Sequence, residues 1–247
     1  MDHHTVAAVS IVGTCLGLLG SLYLAYDLLG GRHGPLRLIT RAVTYSLVFG
    51  IGYGLGLGFL FGLAAGLATG CTVAVELNRA SQGRDHHPLA WEALFSAIRG
   101  LAFSAGLYRI VGLEFSIAFG LLITAGQIIA YSRGMRPALD YAASRRPRLT
   151  RRQFVGTLIR TVGYTVSALA CSVLIHRVDH PWTFALQIGI VTGLVTGIGI
   201  TVNPYIEYYA DSLPERRLGA FGIGLILCAF ALESLQYWLA LFDVRLT

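Results

Sequence analysis

From Ala42 to Val75 the chain carries no charged residue. About 20 apolar residues cross a hydrocarbon core of roughly 30 Å, so this run is too long for one untilted crossing. Glycines crowd its middle at Gly50, Gly52, Gly54 and Gly56. Two helices of about 17–20 residues joined by a tight turn at these glycines satisfy both facts. The same kind of block recurs along the chain, as Val6–Leu29, Leu36–Tyr53, Leu57–Leu77, Leu89–Val111, Phe115–Ser132, Arg152–Ile175, Trp182–Tyr205 and Leu218–Phe242. Charged residues make up 13% of the sequence. A soluble domain carries about a quarter, so the polar residues here cannot cover a water-soluble globule. The pattern predicts an all-α, polytopic integral membrane helix bundle of about eight transmembrane helices. It forms a single transmembrane domain over 1–247, with a first helix in 1–34, hairpins in 35–80, 88–133 and 150–210, and a last helix in 212–247.

The first block reads as a membrane helix rather than a secretory signal. It lacks a positive flank, is too long for a signal core, and no small-residue cleavage site follows it. Four polar segments carry helix-start signals. Pro35 and Pro88 suit a first helical turn, and Thr150 with Gln153 and Ser212 with Glu215 have capping-box spacing. All 19 basic residues are arginines. Arg109, Arg177 and Arg245 fall on one side of the proposed bundle. The other 16 lie in the loops after helices one, three, five and seven, or at the adjoining helix starts. The arginine bias predicts a multi-pass protein of the inner (plasma) membrane, with these loops cytoplasmic and both termini outside. The same loops are expected to touch anionic lipid. Nucleic acid is not an expected partner.

Three helices begin with Arg-x-x-x-aromatic: Arg41 to Tyr45, Arg99 to Phe103 and Arg160 to Tyr164. Each is followed by a helix with small residues every four positions. These are Gly54, Gly58, Gly62, Gly66 and Gly70 in the first hairpin, Ser116, Gly120 and Thr124 in the second, and Gly189, Gly193 and Gly197 in the third. Arg41 to Gly62 and Arg99 to Gly120 are the same separation; the third hairpin is longer. All three hairpins start on one side, which predicts a parallel threefold repeat about an axis along the membrane normal. Four-residue spacing puts the small residues on one helix face, where they let backbones approach. The stripes read as intramolecular packing surfaces, with an oligomer interface or a pore lining as the alternative.

Ionisable residues inside a membrane segment are functional candidates by default. Glu233 lies well inside the last block. Asn203-Pro204 interrupts the seventh block and is followed by Glu207, while Glu76 falls at the matching point of the first hairpin. Glu233, Asn203, Pro204, Glu207 and Glu76 form a candidate ion or solute pathway; an interfacial position for Glu233 and a simple kink at Pro204 are the plainer readings. His176 and His180 flank Asp179 on an outer turn, but this spacing is too weak to predict a metal. Cys15, Cys71, Cys171 and Cys228 each sit in an apolar block without metal spacing and read as small packing residues. No phosphate-binding, dinucleotide, nucleophile-elbow or zinc-hydrolase pattern is present. The chain therefore reads as non-enzymatic, with no cofactor or metal expected.

The run Phe49-Gly-Ile-Gly-Tyr-Gly-Leu-Gly-Leu-Gly-Phe-Leu-Phe-Gly-Leu-Ala-Ala-Gly66 resembles the Gly-periodic transmembrane hairpins attached to some bacterial NACHT-type NTPases, and Arg99-Gly-Leu-Ala-Phe103 is similar. The resemblance spans about Arg41 to Tyr131. It implies a permeabilising or anchoring effector that depends on a separate protein partner. The leading expectation is a channel-like or effector component that assembles in the lipid bilayer, as a homo-oligomer or with another protein. A small-solute or ion transporter and an accessory subunit of a larger membrane complex are the alternatives.

Overall fold

A computed structural model describes residues 3–29, 36–81, 89–133, 151–175, 181–212 and 215–241, with side chains for 9–29, 36–79, 89–133, 155, 157–175, 182–199 and 217–234. Among the described residues there are eight helices: α1 (His3–Leu28), α2 (Arg37–Leu57), α3 (Phe59–Ser81), α4 (Leu89–Val111), α5 (Leu113–Ser132), α6 (Arg151–Ile175), α7 (Pro181–Ser212) and α8 (Glu215–Leu241). Each is long and apolar enough to cross a membrane. Helices α2, α4, α6 and α8 begin within three residues of Pro35, Pro88, Thr150 and Ser212, the positions of the start signals.

Two sequence expectations about breaks need correction. The first concerns Gly50–Gly56, which does not form the turn. Helix α2 runs on to Leu57 and the chain reverses at Gly58, whose φ of 96° is a left-handed backbone value. Gly112, with φ 84°, does the same between α4 and α5. Positive φ is nearly free only for glycine. Gly58 therefore serves the turn and not the packing stripe, and a Cβ there would meet nothing within 4 Å. The second concerns Asn203-Pro204, which does not end its helix, since α7 continues through it to Ser212.

The in-helix glycines of α2 have a packing reason. Residues two apart on a helix point to nearly opposite faces. Gly50 and Gly54 face α3, where a Cβ on Gly62 would lie 2.5 Å from the Gly54 Cα. Gly52 and Gly56 face α7, where a Cβ on Gly52 would lie 2.8 Å from Val195 Cγ1 and one on Gly56 would meet Val191. Helix α2 is thus held closely on both sides, and a glycine at every second position is the result.

The protein's surface is apolar and its interior holds polar groups. Leu55 is 87% exposed, Phe59 72% and Leu101 70%, whereas Ser96, Ser116 and Thr192 are fully buried. This is the reverse of a soluble fold and suits a lipid environment. Several buried hydroxyls fall back on their own helices. Thr72 donates to the Ala68 carbonyl, Ser116 to Gly112, Thr124 to Gly120 and Ser172 to Ala168, each at about 2.8 Å. Such bonds satisfy a hydroxyl where no water is present.

The chain forms two compact units. In the first, α1 and α8 pack antiparallel. Gly13 lies against Glu233 and Ala229, Gly17 against Ala229, and Gly20 against Gly222 and Ile226, while Tyr23, Tyr26 and Leu218 form a small core. The second unit spans Arg41–Tyr208. Its consecutive helix pairs are antiparallel and tightly joined. Gly62, Gly66 and Gly70 meet Gly54, Gly50 and Ser46; Gly120 meets Gly100; Gly189, Gly193 and Gly197 meet Thr165, Thr161 and Thr157. The equal separations from Arg41 to Gly62 and from Arg99 to Gly120 do not give equal partners. Gly120 faces Gly100, the residue after its arginine, and Gly193 likewise faces Thr161, but Gly62 faces Gly54, far along α2.

Candidate functional site

Every helix of the second unit contributes to one cavity of about 230 Å³. Its floor is aromatic. The Phe103 ring of α4 lies 5.1 Å from Phe61 of α3, 5.8 Å from Tyr53 of α2, 6.4 Å from Phe119 of α5 and 6.0 Å from Tyr164 of α6, measured between ring centroids. Offset and edge-on rings at these spacings attract one another beyond their burial. The three aromatics of the Arg-x-x-x-aromatic segments, Tyr45, Phe103 and Tyr164, all line this cavity, and so do Arg99 and Arg160. Arg41 is not part of the lining.

Arg99 is only 5% exposed and Glu76 7%. One guanidinium nitrogen of Arg99 donates to Glu76 Oε1 at 2.5 Å, a second to the Tyr131 hydroxyl at 2.7 Å, and Nε to Thr72 Oγ1 at 2.7 Å. Three partners on α3 and α5 thus fix a cation of α4. The arginine lies about 15 Å along α4 from Leu89, at the helical rise of 1.5 Å per residue. That depth changes its reading. As a helix-start charge it counted toward topology; in the fold it is an internal ion pair near the middle of its span. Arg160 also lies well inside its helix, α6. The arginine bias between the two ends persists without them.

Two polar groups on the cavity wall lack such compensation. Among the described residues Arg160 makes no hydrogen bond or ion pair; it interacts electrostatically with the Tyr131 phenol. Gln127 reaches Tyr164 only through a long bond of 3.5 Å, and its buried Oε1 has no hydrogen-bond partner among the described residues. Two other polar lining residues are spent on the fold. The Tyr53 hydroxyl bonds Thr196 at 3.0 Å, and Thr196 donates to the Thr192 carbonyl at 2.6 Å.

The sequence candidates separate in this structure. Glu76 is in the cavity as the partner of Arg99. Glu233 belongs to the α1–α8 unit, where the Thr14 hydroxyl donates to its Oε1 at 3.0 Å. Asn203, Pro204 and Glu207 lie on the last turns of α7, and their side chains fall outside the described residues, as do His176, Asp179 and His180. Gln187 ties two helices, donating to the Gly56 carbonyl of α2 at 3.2 Å. Sequence reasoning assigned no site role to Arg99, Arg160, Tyr131 or Thr72. The available signal was position: an arginine at the centre of an apolar block is itself a candidate, whatever motif it belongs to.

Comparison with protein-family models, with curated proteins and with solved structures found no match, and nothing in it links the chain to NACHT-associated hairpins.

Proposed function

We propose that this is a multi-pass membrane protein whose second unit binds a small solute inside the helix bundle, as a carrier does, rather than a subunit of an open pore. The observation that supports this is the cavity, lined by a buried ion pair, by Arg160, which has no hydrogen bond or ion pair among the described residues, and by Gln127, whose Oε1 has no partner among them. Burying charge in an apolar environment costs several kcal/mol per ion. A fold that serves only as an anchor has no reason to retain it.

The channel-like reading drew its motive from small-residue stripes free to meet other chains. Those stripes are engaged within the unit: Gly62, Gly66, Gly70, Gly120, Gly189, Gly193 and Gly197 each have a neighbouring helix where a Cβ would sit. This packing supports the intramolecular reading of the stripes.

Two measurements on the reconstituted full chain test the proposal. In a planar bilayer with potassium chloride on both sides it is expected to pass no stepwise current. In vesicles, Ser167→Cys in a background lacking Cys15, Cys71, Cys171 and Cys228 is expected to react with N-ethylmaleimide, because the thiolate forms only where water reaches it. Sustained conductance, or a Cys at 167 that stays inert, overturns the carrier reading.

A further inference from the structure

The ligand class follows from the charges and from where the cavity opens, and this step rests on the carrier reading above. Three ionised groups line the wall, Glu76, Arg99 and Arg160. The first two neutralise each other, so among the described residues the wall carries one uncompensated positive charge. A membrane-embedded cation needs a counter-charge. Arg160, Tyr164 and Ser167 stand at i, i+4 and i+7, on one face of α6. Their guanidinium and hydroxyl donors share the cavity with the unpaired Gln127 Oε1. The guanidinium and hydroxyl donors fit one anionic group, such as a carboxylate or a phosphodiester.

Size and opening restrict the rest of the molecule. At about 230 Å³ the cavity is smaller than the roughly 300–1,000 Å³ of pockets that take drug-sized solutes. Its wall thins between α5 and α6. Leu122 and Gly126 on α5, and Ile159 and Gly163 on α6, line the cavity and are also exposed on the protein's outer surface. A Cβ at Gly126 or Gly163 would meet nothing within 4 Å. The other cavity-lining glycine, Gly199, is pressed against the Phe49 ring. These two glycines thus keep a gap open rather than bring helices together. The gap is rimmed by aliphatic residues and glycine, and it faces the side that would meet hydrocarbon.

We infer that the cavity takes the head of an amphipathic monoanion from the bilayer. The acidic group sits at Arg160, beside the Tyr164 and Ser167 hydroxyls, and the apolar chain leaves through the α5–α6 gap. A free fatty carboxylate and an anionic phospholipid share this chemistry.

The test uses the full chain in nanodiscs of phosphatidylcholine, read by thermal unfolding. Oleate at a hundredfold excess over its Kd is expected to raise Tm by roughly 5–10 °C. Methyl oleate, which lacks the charge, and acetate, which lacks the chain, are expected to leave it unchanged. Replacing part of the lipid with phosphatidylglycerol distinguishes the sources. A shift from that lipid in place of oleate supports the inference with the phospholipid as ligand. Arg160→Gln and Gly126→Leu should keep the ligand-free Tm and lose the shift; Gly163→Val provides a second gap-filling variant if Gly126→Leu does not fold. An equal shift with acetate or methyl oleate overturns the inference, and so does a shift that survives both substitutions. No shift with any probe, while Cys at 167 still labels, also overturns it and leaves the carrier reading standing.

Discussion

Removing the Glu76 carboxylate isolates the energetics of the buried ion pair. In Glu76→Ala the Arg99 cation stays 5% exposed and loses its only anion among the described residues. Breaking a buried pair by deleting one partner costs about 3–5 kcal/mol, because the remaining charge is desolvated and unpaired. Thr72 and Tyr131 still accept hydrogen bonds from the guanidinium, which places the expected loss at the low end, about 3 kcal/mol. At 2–4 °C per kcal/mol for a chain of this size, Tm should fall by roughly 6–12 °C. The assay is thermal unfolding of the detergent-solubilised protein followed by size-exclusion chromatography. Glu76→Gln keeps the shape and one acceptor, and should fall between wild type and Glu76→Ala. The double variant Glu76→Leu with Arg99→Met removes both charges and should be more stable than the sum of the single effects, with a coupling above about 1 kcal/mol. Strictly additive losses, or a Glu76→Ala Tm within 2 °C of wild type (about 1 kcal/mol or less), would refute the view that these two groups depend on each other.

Gly120→Val should prevent proper assembly of the α4–α5 pair, since the added Cβ would lie 2.5 Å from the Gly100 carbonyl oxygen; monodisperse protein at wild-type yield would contradict this. Gly126→Ala, at an open position, should change stability by less than about 0.5 kcal/mol in the same assay. Gly58→Ala and Gly112→Ala should each cost about 1–2 kcal/mol through backbone strain at positive φ, measured as a lower Tm without loss of fold. Phe103→Ala removes the ring that meets four others and should cost about 3–5 kcal/mol, again as a lower Tm.

Span number and span ends are legible in this sequence because hydropathy reports them directly. Arg37, Leu89, Arg151 and Glu215 begin helices close to where prolines and capping residues announce them. The Gly50–Gly56 run was ambiguous. Glycine suits both a turn and a close helix contact, and only the neighbours on α3 and α7 distinguish the two. Helix rotation is the property that hydropathy does not carry. In lipid both faces of a helix are apolar, so the pattern that orients a soluble amphipathic helix is absent.

The charge-free run from Ala42 to Val75 thus settled by itself that two spans lie there and that the chain suits a membrane. It could not settle which side of each span looks inward. Glu76, just past the end of that run, showed as a lone charge in the sequence. Its partner lies 23 residues on, at the centre of the next span. Arg99 belongs to Glu76, and Arg160 lines the same cavity, only because six helices turn those faces toward one space. That choice comes from which small residues let which backbones touch, a property of packed pairs and not of any single segment.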